Sequence, residues 1–270
     1  MLLRGFLFAA VLTFVPAGSV FAQETDPEAN AVWLKVRAEL FGERPIAPGD
    51  GVVSLEVPAR AQDASVVPLS IRAAFPQAAE RAIDRIWLVV DNNPSPIAAI
   101  FRFTRSSGRA DIDTRIRVEQ YTHVRAIAAT SDGALHMAVR YVKASGGCSA
   151  PPPGEARDAA TPLGRMRIAV EPAKEAGAPA SVRLLVSHPN ESGLAMDQVS
   201  RTYAPAHFVR TLEVRQGGEL VLSADLDFAI SENPYFRFEM VPAEGAPLEA
   251  RVVDNQALEF TSGVKVQARR

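Results

Sequence analysis

Apolar and polar residues alternate with a period of two along most of this chain. The segments 52–57 (VVSLEV), 65–74 (SVVPLSIRAA), 85–91 (RIWLVVD), 97–104 (IAAIFRFT), 115–121 (RIRVEQY), 124–130 (VRAIAAT) and 135–142 (LHMAVRYV) read as strands. Asn92-Asn93-Pro94, Ser107-Gly108 and Ser131-Asp132-Gly133 punctuate them as turns. After an interval without large apolar residues the alternation resumes. Residues 165–171, 180–187, 207–214, 218–225, 234–241, 247–254 and 257–262 form a second set. Strands at this spacing predict two antiparallel β-sandwiches, so the chain is mainly β. Two stretches depart from the pattern. Residues 30–41 place Val32, Val36 and Leu40 at helical spacing, with Trp33 and Leu34 beside them and Gly42 as a stop. Residues 76–83 (PQAAERAI) predict a second, short helix with Pro76 in its first turn.

The interval between the two sets is SGGCSAPPPGEARDAATPLG, residues 145–164. Glycine, proline, alanine and serine dominate it, which is the composition of a linker. The expected organisation is therefore 1–22, 23–144, 145–164 and 165–270. The first piece has an arginine near its start, a short apolar run and a Val20-Phe21-Ala22 end, the features of a secretory signal peptide. Pro16 and Gly18 interrupt the run, so no membrane insertion of the mature chain is expected. The expected location is the periplasm.

Charge adds mainly exclusions. The formal net charge is −2 over 270 residues, and no basic run with interleaved aromatics occurs, so nucleic acid is not an expected partner. The chain has one cysteine, Cys148, inside the linker. A lone thiol in an exported protein is a liability unless it is used. Its neighbours offer no apolar periodicity to bury it, which predicts an exposed thiol on a flexible arm. Gly146 and Gly147 read as the hinge of that arm, and an extended backbone from Lys143 would carry the sulfur roughly 15 Å from the sheet. No C-x-x-C pair is present, and His123, His136, His188 and His207 show no metal-ligand spacing. Neither a metal, a cofactor nor catalytic machinery is expected. What fits a tethered thiol is a covalent carrier, presenting a small substrate to other enzymes. The other reading is an adaptor that binds a periplasmic quinoprotein dehydrogenase or cytochrome without covalent chemistry.

LVVDNNPSPIAAIFRF (88–103) and Gly146-Gly147-Cys148 resemble SoxY, the sulfur-carrying subunit of bacterial thiosulfate oxidation. VSHPNESG (186–193), LVLSAD (220–225) and SENPYFRFEM (231–240) resemble its partner subunit SoxZ. The resemblance implies two immunoglobulin-like sandwiches side by side, with sulfur intermediates bound at Cys148. It implies as partners the periplasmic redox or hydrolytic enzymes of sulfur oxidation. Two features depart from the family. The arm runs on into a second domain instead of ending the chain, and Ser149 and Ala150 stand where the motif has its last two glycines. Fused carriers of this design resemble those associated with quinoprotein dehydrogenases.

Overall fold

A computed structural model describes residues 26–150, 162–171, 178–196, 200–243 and 245–266. The expected signal peptide and most of the Pro-rich half of the linker lie outside these residues.

The helix comes first. Asn30 caps α1 (Ala31–Phe41), its Oδ1 accepting from the N–H groups of Val32 at 2.9 Å and Trp33 at 3.0 Å. Gly42 ends it at φ +58°, donating its N–H to the Ala38 carbonyl. The buried face is Trp33, Val36 and Phe41, whereas Val32 and Leu34 are exposed. The apolar stripe therefore lies about one residue away from the one that periodicity predicts. No helix forms at 76–83. The Gln77 side chain instead pairs with both backbone groups of Ile83, and Pro76 bridges to Arg109. The local turn leads straight into a strand.

The strands of the first half are β1 (Ile46–Pro48), β2 (Val53–Glu56), β3 (Val67–Ala73), β4 (Ile83–Val90), β5 (Ile97–Phe103), β6 (Ile112–Ile116), β7 (Thr122–Thr130) and β8 (Leu135–Val142). Those of the second are β9 (Met166–Glu171), β10 (Ala180–Val186), β11 (Val209–Gln216), β12 (Glu219–Leu226), β13 (Tyr235–Met240), β14 (Pro247–Asp254) and β15 (Glu259–Lys265). They form two sheets, ordered β1-β8-β7-β4-β5-β12-β11-β14-β15 and β2-β3-β6-β13-β10-β9. Both sheets run through both halves. One seam is the antiparallel pair β5–β12, where Phe101 faces Ala224; the other is β6–β13, where Ile112 faces Phe238. The two sandwiches thus meet edge to edge, covering edges that would otherwise invite pairing with other chains.

One apolar cluster fills the space between the sheets across both halves, with Leu55, Ile71, Leu88, Phe101, Leu212 and Phe236 among its members. A second joins α1 to the outer face of the large sheet through Trp33, Phe41, Trp87, Val89 and Ile127. This explains the unbroken apolar run of β4. Ile86, Leu88 and Val90 face the inner core, while Trp87 and Val89 face the helix, so no position is left for water.

Strand β6 ends earlier than alternation predicts. Up to Ile116 every second residue is buried; then Arg117 and Val118 are buried in succession. The chain leaves the ladder there. The Arg117 N–H goes to the Ala229 carbonyl at 2.7 Å and the Val118 N–H to the Ala64 carbonyl at 2.8 Å. This irregular stretch positions the functional site.

Candidate functional site

Residues 117–119 form a platform that the turn after β4 holds in place. Asn93 is 4% exposed. Its amide donates to the Arg117 carbonyl at 2.8 Å, and its Oδ1 accepts from the Glu119 N–H at 2.8 Å. One side chain thereby satisfies two main-chain groups that no strand partners.

The arm lies on this platform. Gly146 donates to the Glu119 carbonyl at 2.8 Å and Gly147 to the Val118 carbonyl at 2.9 Å. Gly146 adopts φ +81°, which favours glycine. At Gly147 a Cβ would overlap the Ala64 carbonyl oxygen, so only hydrogen fits between the arm and that backbone. The Glu119 carboxylate then grips the tip. It accepts from the N–H groups of Cys148 at 2.8 Å and Ser149 at 3.1 Å, and from the Ser149 hydroxyl at 2.8 Å. From the second half, the Ser192 hydroxyl donates to the Cys148 carbonyl at 2.5 Å.

The sulfur is consequently not where composition placed it. Cys148 is 0% exposed, so the expected water-facing thiol is corrected to a docked one. The physical reason is that Gly147 permits close approach of backbone to backbone, Gly146 adopts the positive φ of the bend, and a carboxylate distant in sequence supplies the acceptors. In this arrangement Gly146 and Gly147 serve docking. Polar side chains from both halves grip the Cys148 main chain, Glu119 at its N–H and Ser192 at its carbonyl. Burial pushes the thiol up to about 12, Glu119 and Asp227 push the same way, and Arg117 opposes them. A thiol this reluctant to ionise is a poor nucleophile. The charged groups acting on it are Glu119, Arg117 and Asp227. The geometry is suited to shielding a sulfur rather than to activating one.

Comparison with known proteins finds two family models in succession along the chain. The family model "Sulfur oxidation protein SoxY" matches residues 37–148, and "Sulphur oxidation protein SoxZ" matches residues 166–265. The chain belongs to the SoxY and SoxZ families, joined in that order in one polypeptide. No curated protein matches it. Among solved structures, the sulfur carrier protein SoxY from Chlorobium limicola f thiosulfatophilum is 22% identical, with a TM-score of 0.35 over 42% of this chain and 91% of that one. A superoxide reductase (neelaredoxin) from Ignicoccus hospitalis is 13% identical, with a TM-score of 0.30 over 34% of this chain and 79% of that one. Both scores lie below 0.5, and the family assignment rests on the two family models.

In these terms the arm of the SoxY half is held from both halves. The SoxZ contribution is the turn 188–193, part of the segment 186–193 that carries the resemblance. Asn190, at φ +45°, anchors it by donating to the Ile230 carbonyl at 2.9 Å and accepting from the Val209 N–H at 3.0 Å. Its own N–H donates to Nδ1 of buried His188 at 3.0 Å. His188, His207 and Asp254 place one potential ligand atom each within 4.8 Å of one another, although their spacing in the sequence gives no hint of it. The hydrogen bonds assign this trio to holding the turn. Because His188 Nδ1 accepts from the main chain, neutral His188 carries its proton on Nε2, which faces Asp254 Oδ2 at 3.5 Å, while His207 Nε2 lies 2.8 Å from the same oxygen. His123 stacks on Tyr141, and His136 sits near the Pro48 carbonyl, both on strands of the other half.

This trio makes stability depend on pH. Burial, and then the neighbouring His207, hold His188 down to about 4, against an ordinary value of 6.5. The unfolded chain therefore takes up a proton below about pH 6.5 that the folded chain refuses until about pH 4. The stabilisation is fully present above the upper value and is lost as pH falls to the lower one, by at most about 3 kcal/mol. Denaturant unfolding at pH 7 and pH 4.5 should show this loss. His188→Gln, whose side-chain oxygen can still accept from Asn190, should flatten it.

Proposed function

We propose that this chain is a periplasmic sulfur carrier, in which Cys148 holds a sulfur intermediate covalently and the docked arm is its shielded state. The observation that carries the reading is the kind of burial found at Cys148. The chain's single cysteine stands at the last residue of the SoxY match, and its buried main chain is held by hydrogen bonds to the side chains of Glu119 from one half and Ser192 from the other. Such contacts can be exchanged for water at modest net cost, about 1 kcal/mol each. A core contact cannot be exchanged in this way.

In this reading a partner enzyme draws the arm off the platform, with Gly146 and Gly147 as the hinge. Joining a thiol to a sulfane donor forms one S–S bond and releases one proton and two electrons. In this reading a periplasmic redox partner takes the electrons, and a hydrolytic partner later removes the oxidised sulfur. Quinoprotein dehydrogenase-linked metabolism is the setting we propose for a fused carrier.

The adaptor reading draws on the same burial, since a masked thiol can also be an idle one. A Cys148→Ser strain separates them. The carrier reading expects loss of sulfur-dependent oxidation while partner proteins are still recovered with the variant. Unchanged oxidation together with unchanged recovery would favour the adaptor.

A further inference from the structure

Arg117 is a buried cation whose hydrogen-bonding capacity is only partly used by the described residues. It is 7% exposed. Its guanidinium donates to two main-chain carbonyls, Gly147 at 3.3 Å and Asn190 at 3.1 Å. Its Nε–H is buried and has no partner among the described residues. A guanidinium offers five donors in a fixed fork that suits oxyanions. Its hydrogen bonds go to neutral carbonyls, so the desolvation of the guanidinium is offset only by carboxylates that do not hydrogen-bond it, Glu232 and Glu191 among them. The arginine also lines a small cleft of about 20 Å³ with Ala150, Pro189, Ser192 and Gly193, directly beside the arm tip. That is room for about one water molecule. Glu191 and Glu232 line the same cleft, so a negatively charged group there is favoured only on the Arg117 side.

We propose that Arg117 is the receptor for the negative charge of the group borne on Cys148, and that it selects an oxyanionic sulfur head group over a neutral one. This rests on the carrier reading of Cys148 and adds the residue that recognises the cargo. When Cys148 is a bare thiol, the Arg117 Nε–H has no acceptor among the described residues. When the sulfur carries a sulfonate-terminated group, the unused donors have oxygen acceptors, and the adducted arm docks with charge-assisted hydrogen bonds. A neutral methyl disulfide gives Arg117 neither a negative charge nor an oxygen acceptor. The cleft as it stands is smaller than a sulfonate, so docking of the adduct displaces the Ala150 side of the cleft.

The test uses the full-length protein loaded chemically in two ways. With tetrathionate, the Cys148 thiolate attacks an inner sulfur, one S–S bond forms, one breaks, and thiosulfate leaves with the electron pair. The product is an S-thiosulfonate. With methyl methanethiosulfonate the same attack expels methanesulfinate and leaves a neutral methyl disulfide. Removal of each adduct by dithiothreitol is followed by intact mass in wild type, Arg117→Gln and Arg117→Lys. The expected result is that Arg117→Gln accelerates removal of the S-thiosulfonate about tenfold more than removal of the methyl disulfide, with Arg117→Lys between it and wild type. A variant that merely loosened the arm would accelerate both adducts equally. Equal acceleration, or none, overturns the assignment. Because loading is chemical, this outcome is separate from whether cells load Cys148 at all.

Discussion

Gly147→Ala is expected to raise the alkylation rate of Cys148 at pH 8 by up to about a thousandfold. The added Cβ would meet main-chain atoms, overlapping the Ala64 carbonyl and lying 2.8 Å from the Val118 nitrogen, and neither can swing aside. The arm must leave the platform, and the thiol loses both its burial and its place beside Glu119. Its pKa then returns from about 12 toward the ordinary range of a free thiol, and the thiolate fraction rises accordingly. Iodoacetamide kinetics, with urea-unfolded protein as the upper limit, give the measurement. Glu119→Ala removes three acceptor contacts instead of creating a clash, and should move the rate in the same direction by less. A Gly147→Ala protein that stays as slow as wild type would mean that the glycine does not hold the docked state.

The largest expected loss of stability is far from the thiol. Arg125 and Asp91 are both 0% exposed and paired at 2.8 Å, with the guanidinium stacked 4.2 Å above the Trp33 ring and donating to the Pro27 carbonyl. This pair ties the helix to the sheet. Arg125→Ala leaves Asp91 buried without its counter-charge and should cost about 3–5 kcal/mol in denaturant unfolding. Arg125→Met combined with Asp91→Leu should cost less than the single change, because the double variant buries no unpaired charge. A single-variant loss under about 1 kcal/mol would show that water reaches the pair.

Much of the fold is legible because strand alternation is a local signal. Strand β8 has the bounds that alternation predicts, and α1 announces itself through the Asn30 cap and the Gly42 stop. Legibility fails where distant segments decide the outcome. Arg117 to Tyr121 read as the end of a strand, yet the chain there turns its hydrogen bonds toward Ala64, Asn93 and Ala229. The candidate thiol can be picked out because it is the chain's only cysteine and lies beyond the last strand of the first half. Its burial cannot. Glycine reads the same whether it confers freedom or permits close approach, and only the position of the Ala64 carbonyl separates the two cases. Ser149 reads as a dilution of the glycine motif, whereas its hydroxyl adds a bond to Glu119 that glycine cannot make. Asn93, His188 and Ser192 lie in segments that carry the family resemblance, but their contacts do not show there, and Arg117, His207 and Asp254 carry no sequence signal, because folding alone brings these residues together.

The most direct test is the intact mass of the protein isolated under non-reducing conditions from cells oxidising a reduced sulfur compound. A sulfur or sulfur-oxyanion increment that maps to Cys148 and disappears with reductant is the predicted result. An unmodified thiol in such cells, with undiminished oxidation in a Cys148→Ser strain, would contradict the account.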